Sequence, residues 1–334
     1  MALQTGSVVC LPRPAVIRAF AACGGRREAA GPLADGFDCL HQDNHMGCAG
    51  WEAAEAALLE QAARTCLQKA GTDPAEIDLA LAGDLQAQCT ASNYALRQLG
   101  IPFAGLYGAC STMAEGLALG ACLVSGGAGR KILAGTASHF CAAERQFRLP
   151  LNYGGMRTPT AQWTATAAGC VLLCPDGPGV QLPAAVFGRV QDFAVRDISN
   201  MGAAMAPAAA DTLLRYFRDT GTAPADFDRV FTGDLGRVGS SLLCQLMQAE
   251  GVPLENHQDC GCLLYGDDPA VGAGASGSGC SAAVLCSHIL PRLSLGRWQR
   301  VLFVATGALM STVTVLQKES IPAVAHLVEL RAPA

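Results

Sequence analysis

The sequence predicts an α/β protein built from two duplicated halves that pack into a body with α/β/α/β/α layers. Three observations lead to this fold. Segments 71–85 (GTDPAEIDLALAGDL) and 221–235 (GTAPADFDRVFTGDL) are identical at eight of fifteen positions, at a constant offset of 150 residues. Each half alternates helical patterns with short apolar strands, which is typical of a largely parallel sheet covered by helices. Hydrophobic residues make up 51% of the 334-residue chain, enough to fill several cores.

The first half can be read element by element. Residues 1–50 look irregular because Pro12, Pro14 and several glycines interrupt them, with 8–11 and 15–20 expected as short strands. Segment 51–70 (WEAAEAALLEQAARTCLQKA) predicts a long helix that ends at Gly71. A strand at 77–82, a helix at 92–99 and a strand at 103–107 follow, and the next strand begins at 131.

The chain is organised around segment 106–124 (LYGACSTMAEGLALGACLV), where a small-residue turn enters an apolar helix. Thr112 and Glu115 have the spacing of a capping box, which places Cys110 at the helix N-terminus. Exposed N–H groups there favour a thiolate or a bound anion. The alternative is a small buried cysteine, and a chain with 16 cysteines leaves both interpretations open.

The second half repeats this order. A helix at 203–219 precedes the second copy of the repeat, and 299–309 (QRVLFVATGAL) is the counterpart of the strand segment 130–138. The repeat predicts a division into residues 1–185, which carry Cys110, and residues 186–334.

Composition excludes several classes of protein. The net charge is −5 and no Lys/Arg run is present, which argues against nucleic-acid binding. The cysteines lack the dense spacing of a disulfide scaffold, and Pro12 and Pro14 interrupt any signal peptide, so we expect reduced thiols. No apolar stretch is expected to reach the ~18 residues that span a bilayer. No metal-ligand set or dinucleotide fingerprint is complete, so no cofactor is expected.

The duplicated halves, with a cysteine at a strand-to-helix turn, resemble the thiolase and ketoacyl-synthase superfamily. Within it, seven motifs resemble the stage V sporulation protein AD family: GPLADGFD (31–38), GWEAAE (50–55), LAGDL (81–85), LYGACST (106–112), AERQFR (143–148), NYGG (152–155) and TAQWTATAAG (160–169). The resemblance implies a thiolase-like fold. It also implies a protein of spore-forming bacteria that binds dipicolinic acid and helps move it into the developing spore.

Condensing enzymes of the superfamily need a thiolate and His/His or His/Asn partners from the second half. The repeat places Asp234 where the first partner is expected, and segment 272–283 contains neither His nor Asn. A carboxylate opposite the thiol would raise the thiol pKa and repel an enolate. We therefore predict a protein that binds a ligand without catalysis. The alternative is an acyl transferase or ketoacyl synthase that uses Cys110 on coenzyme A thioesters.

The resemblance also suggests which residues bind the ligand. Dipicolinate carries two carboxylates beside a ring nitrogen, so arginines and a helix N-terminus suit it. The predicted contacts are Cys110, His139, Arg145, Gln146, Arg148, Asp84 and Asp234. The two aspartates would hold His or Arg side chains or bridge calcium. Solvated ion pairs remain the alternative for the arginines, and helix capping for the aspartates.

The expected partners also come from the resemblance. We expect dipicolinic acid, alone or as its calcium chelate, and the membrane proteins of the same sporulation uptake complex. The chain is expected to form a homodimer and to lie peripherally on the spore inner membrane. Replacing Arg145 and Arg148 together is expected to weaken binding more than replacing Cys110.

Overall fold

The computed structural model describes residues 3–147 and 157–333. The strands are β1 (Leu3–Thr5), β2 (Val8–Gly24), β3 (Cys39–Leu40), β4 (Leu79–Gly83), β5 (Phe103–Gly105), β6 (Ile132–Ser138), β7 (Trp163–Thr164), β8 (Ala167–Cys174), β9 (Val180–Val186), β10 (Arg229–Thr232), β11 (His257–Asp259), β12 (Ala275–Ser276), β13 (Arg300–Ala308) and β14 (Ala323–Arg331). The helices are α1 (Arg26–Ala29), α2 (Trp51–Ala70), α3 (Thr90–Leu99), α4 (Thr112–Gly126), α5 (Phe140–Phe147), α6 (Met201–Thr220), α7 (Gly236–Ala249), α8 (Cys260–Tyr265), α9 (Ser278–Val284), α10 (Leu290–Ser294) and α11 (Thr312–Leu316).

The sheet contains the same order of strands twice, and the second set runs outward from the centre in the opposite direction to the first. Its main path is β11-β10-β13-β14-β9-β2-β8-β6-β4-β5, with five strands on each side of the β9–β2 pairing, and β1 and β3 also pair with β2. In the first half β5, β4 and β6 are parallel and β8 is antiparallel to both of its neighbours. In the second half β11, β10 and β13 are parallel and β14 is antiparallel to both of its neighbours. β2 and β9 pair antiparallel and join the two halves.

Three hydrophobic cores separate five layers. The first core lies between helices α2 and α3 and the first-half strands, with Leu59 and Leu133 buried in it. The central core surrounds α4 and α9 and is faced by strands of both halves, including Phe303. The third core lies between the second-half strands and helices α6 and α7, where Leu213 and Leu302 meet. The predicted α/β/α/β/α architecture is confirmed.

Alternation along the strands explains how one sheet serves two cores. Side chains of successive strand residues point to opposite faces. Leu133 of β6 accordingly faces the outer core, whereas its neighbour Ala134 faces the central one. Both faces are apolar, so the strands are buried on both sides, as the continuous apolar runs indicate.

The helix predicted at 51–70 is confirmed as α2, and Gly71 ends it in the left-handed conformation (φ 60°) that glycine favours. Other elements differ from prediction. The two short strands expected at 8–11 and 15–20 form one strand, β2, whose pairing with β9 shifts register between Cys10 and Ala15. Pro12 and Pro14 lie in this irregular stretch, where a missing backbone N–H is tolerated.

Helix α4 begins at Thr112, as expected, but the capping box does not form. A 3₁₀ turn, Ala109–Ser111, precedes the helix. The Thr112 hydroxyl donates to the Ala109 carbonyl in this turn, at 2.7 Å. Segment Ala109–Gly126 has the length and composition of a membrane span, contrary to the expectation that no stretch reaches this length, but 67% of it is buried in the central core. The division after residue 185 stays a prediction. It falls inside β9.

Candidate functional site

A cavity of about 400 Å³ lies at the carboxyl ends of strands β4, β5 and β13. Ligands commonly bind at this edge of a parallel sheet, because the loops that follow the strands converge there. The wall combines residues from both halves: Asp84, Gln86, Gln88, Tyr107, Cys110, Glu144, Gln146, Gln162, Thr164, Ser199, Met201, Ser276, Ala308 and Thr312.

Cys110 sits on a sharp turn between β5 and α4. Ala109, directly before it, has a positive φ of 51°, which is strained for a residue with a side chain. Gly108 and Gly307 make the turn possible. A Cβ on Gly307 would collide with the Gly108 carbonyl oxygen, and one on Gly108 would collide with Glu115. The tight packing of β13 against this turn therefore depends on glycine.

The Cys110 thiol faces a buried acid. Burial raises the pKa of Cys110 well above its ordinary value, and the Asp234 carboxyl raises it further. The helix N-terminus predicted to favour a thiolate is outweighed, because Cys110 is only 7% exposed and its thiol faces this acid. The thiol is therefore protonated and weakly nucleophilic.

Asp234 lies just behind the cavity wall. Its Oδ2 accepts from the Gly277 N–H at 2.8 Å and the Ser276 hydroxyl at 3.1 Å, whereas its buried Oδ1 meets no hydrogen-bond partner among residues 3–147 and 157–333. Burial raises the pKa of Asp234 to about 7, with Asp259 adding to the rise. Asp234 does not cap α7; Asp259 does so by accepting from the Leu235 N–H at 2.8 Å.

Asp84, the counterpart of Asp234 in the repeat, has a different role. Its carboxylate accepts from the Ser92 N–H and hydroxyl and from the Gln86 N–H, at 2.7 to 2.8 Å, and so anchors the first turn of α3. Burial raises its pKa, opposed by these donors. The Gln86 side chain in turn donates to Glu55 Oε2 at 2.8 Å, and burial raises the pKa of Glu55 well above its ordinary value.

Glu144, which lines the cavity, takes part in an ion pair. Arg157 donates to Glu144 Oε1 at 3.0 Å and to the Gln162 carbonyl. The Gln162 side chain donates to the carbonyls of Asp234 and Ala275, at 2.7 and 2.8 Å, and so links the two halves beside the cavity.

The structure gathers only part of the predicted ligand-binding set. Cys110, Asp84 and Gln146 line the cavity, and Asp234 lies directly behind Cys110. His139 is fully buried elsewhere, with its Nε2 2.9 Å from the Asn44 carbonyl. Arg145 pairs with Glu52 on the surface and does not line the cavity. Arg148 and the NYGG motif lie outside the described residues.

The three histidines of the second half have partners away from Cys110. His257 lies 2.9 Å from the Thr232 hydroxyl, and His288 lies 2.7 Å from an Arg292 nitrogen. His326 Nδ1 accepts from the Gly188 N–H at 3.2 Å.

The described part of the wall carries carboxylates but no Lys or Arg side chain. Positive potential comes instead from two helix N-termini, since α4 begins beside Cys110 and α6 begins at Met201. Over residues 3–147 and 157–333, no group of three or more His, Cys, Asp or Glu side chains is arranged to hold a metal ion.

Sequence reasoning missed Glu55, Glu144, Gln162 and Ser276. Glu55 carried a signal, because a glutamate on the inner face of a strongly apolar helix such as α2 must find a buried partner. Gln162 and Ser276 carried none. They meet only because β7 and β12 pair in parallel across the two halves.

Comparison with known proteins accounts for this architecture. The fold is similar to 3-oxoacyl-[acyl-carrier-protein] synthase III from Aquifex aeolicus, with a TM-score of 0.56 and 13% identity over 95% of this chain and 99% of that one. Cerulenin-bound OleA from Xanthomonas campestris has a TM-score of 0.60 and 14% identity, over 98% of this chain and 99% of that one. These likenesses confirm the thiolase-like fold.

The sequence comparison is more specific. The chain is 43% identical to stage V sporulation protein AD of Bacillus subtilis (strain 168) over 314 residues, 94% of this chain and 93% of that protein. Residues 5–331 match the sequence profile of the stage V sporulation protein AD family. The chain therefore belongs to the stage V sporulation protein AD family.

Proposed function

We propose that this chain binds dipicolinate in the Cys110 cavity, without covalent chemistry, for uptake into the developing spore. The observation that carries the proposal is the pairing of the buried Cys110 thiol with the Asp234 carboxyl. The resemblance to condensing enzymes implies that Cys110 stands where those enzymes carry their nucleophile. A thiol kept protonated cannot accept an acyl group efficiently, so the cavity is better suited to reversible binding.

The surroundings of the thiol support a non-catalytic role. Condensation needs an N–H donor that stabilises negative charge developing on the substrate. Asp234 is an acceptor or a neutral acid at this place, and its Oδ2 is already held by Ser276 and Gly277. The three second-half histidines make their hydrogen bonds elsewhere.

The cavity suits a small planar acid in size and polarity. Its volume of about 400 Å³ lies in the range of small-molecule sites. The N-termini of α4 and α6 favour carboxylates, and the side chains of Gln146, Ser199 and Ser276 add polar contacts. The wall acids repel such a ligand weakly. Asp84 accepts three hydrogen bonds, and Glu144 is neutralised by Arg157.

A calorimetric titration of the full-length protein with dipicolinate, with and without calcium, tests the proposal. We expect saturable one-to-one binding per chain, and weaker binding of isophthalate, which lacks the ring nitrogen. The absence of any saturable dipicolinate signal would leave a purely structural subunit. The dependence on calcium would show whether the free acid or its chelate is the ligand.

Incubation with acetyl-coenzyme A followed by intact mass measurement addresses the rival acyl transferase. We expect the mass to stay unchanged. An acetyl adduct that disappears in a Cys110→Ala variant would establish acyl transfer and overturn the non-catalytic assignment. The homodimer and the membrane partners of a spore uptake complex belong to the same proposal.

A further inference from the structure

A second pair of cysteines, which does not line the Cys110 cavity, lies at the short strand β3. Cys39 pairs in register with Cys23 where β3 runs parallel to the end of β2. Cys39 is partly exposed, whereas Cys23 is fully buried. Because the two residues pair in register, their side chains lie on the same face of the sheet.

Two polar groups hold the Cys39 sulfur. The Gln61 Nε2 donates to Cys39 Sγ at 3.0 Å, and His41 Nε2 lies 3.6 Å from the same sulfur. His41 Nε2 is also 2.5 Å from Gln61 Oε1, which can only accept, so this nitrogen carries a proton. The His41 N–H therefore donates to the Gln61 oxygen and orients the amide, whose own N–H donates to the sulfur. An N–H donor of this kind stabilises negative charge on sulfur.

We propose that Cys39 is a peroxide-sensitive thiol and that Cys23 is its resolving partner. The Cys39 thiolate attacks hydrogen peroxide, which forms the sulfenic acid and releases hydroxide. The Cys23 thiol then attacks that sulfur, and one water leaves as the disulfide forms. Hydrogen peroxide is the only oxidant consumed, and it is reduced to water.

The positions of the two residues allow this bond. Neighbouring strands lie about 4.8 Å apart, inside the range of about 4.4–6.8 Å that disulfides span between Cα atoms. Cys39 is partly exposed and Cys23 is fully buried, so peroxide reaches Cys39 first. Burial also raises the pKa of Cys23, which keeps that thiol protonated during the first step. Lys69 and Asp38 form an ion pair beside the two cysteines, so their opposite charges largely cancel at the thiols.

The chain holds a matched control in Cys244. Its sulfur lies 3.8 Å from His257 Nδ1, while the other nitrogen of His257 faces the Thr232 hydroxyl. No amide N–H donates to this sulfur among the described residues, and burial raises the pKa of Cys244. A histidine is thus near both thiols, but only Cys39 has the additional amide donor and a second cysteine.

Exposure of the full-length protein to hydrogen peroxide, followed by intact mass and non-reducing peptide mapping, tests the proposal. We expect the loss of two hydrogens and a Cys23–Cys39 linked peptide before other thiols react. Cys39→Ser should abolish this product, Cys23→Ala should leave a Cys39 sulfenic acid that dimedone traps, and Cys244→Ser should change nothing. Gln61→Ala should slow the reaction about tenfold.

Three outcomes would overturn the proposal: a first-formed bond or oxidised thiol elsewhere, a wild-type Cys39 sulfenic acid that never links to Cys23, or equal rates for Cys39 and Cys244. Circular dichroism of each variant separates slow chemistry from misfolding. Because Cys39→Ser and Cys23→Ala predict different products, failure of one variant to fold leaves the other decisive.

Discussion

Replacing Asp234 with asparagine tests the electrostatics of the site directly. Asp234 is fully buried, and burial raises its pKa from 3.8 in the ordinary state to about 7. Asparagine keeps the oxygen that accepts from Ser276 and Gly277, and it replaces Oδ1, which has no partner in the described part of the chain, with an uncharged N–H₂ group. The substitution therefore removes the charge and leaves the packing nearly unchanged.

The sign of the effect follows from the raised pKa. The folded protein holds the Asp234 proton more tightly than the unfolded chain does. The contribution of Asp234 to the free energy of unfolding is therefore fully present below about pH 4 and is lost as the pH rises towards about 7. A difference of about three pKa units corresponds to about 4 kcal/mol. Asp234→Asn should therefore gain stability relative to wild type by up to about 4 kcal/mol over this interval.

Urea unfolding of both proteins at several pH values between about 4 and about 8 measures this difference. The exposed carboxylate Asp176 supplies the control, since Asp176→Asn should shift stability by less than about 0.5 kcal/mol at every pH. A stability difference between Asp234→Asn and wild type that does not change with pH would refute the reasoning. A stability of Asp234→Asn that falls relative to wild type as the pH rises would also refute it.

Three further predictions use single substitutions. In Asp234→Asn, alkylation of Cys110 by iodoacetamide, followed by peptide mass spectrometry, should accelerate, because burial still raises the thiol pKa but the charge that raises it further is gone; an unchanged rate would contradict this. Gly307→Ala should cost about 1–3 kcal/mol in urea unfolding because its Cβ strikes a backbone carbonyl of the Cys110 turn. Gly126→Ala, with nothing within 4 Å, should cost nothing, and equal losses would refute the packing argument. Leu117→Ala should cost about 2–5 kcal/mol because it empties space in the central core, and a loss below about 1 kcal/mol would show that the core collapses.

The duplication made much of the fold predictable from the sequence. Once the two copies of the repeat were aligned, one strand order sufficed for both halves, and the structure has that order twice. The long strand β2 could not be predicted, because its two prolines look like breaks in isolation. Only pairing with β9 on one stretch and β8 on the next shows that the strand tolerates them.

For the site, too, the residues fixed by the repeat were predictable and the others were not. Asp234 was predicted opposite Cys110 because the repeat fixed its place at the end of a strand. His139 was predicted as a ligand contact because an imidazole can donate to a carboxylate, and Arg145, Gln146 and Arg148 were grouped with it because they follow it closely in the sequence. The chain turns between β6 and α5, however, and points that imidazole at Asn44 and Trp51. Proximity in sequence cannot show which face of a turn a side chain takes.

The most direct measurement of the central claim is the dissociation constant of dipicolinate for the wild-type protein and for Ala308→Phe. Ala308 lines the Cys110 cavity, so phenylalanine should fill it and weaken binding at least about tenfold. Ala225→Phe, at an exposed alanine in a separate cleft, should bind like wild type. Undiminished binding by Ala308→Phe would contradict the account, because dipicolinate would then bind at some other place in the protein.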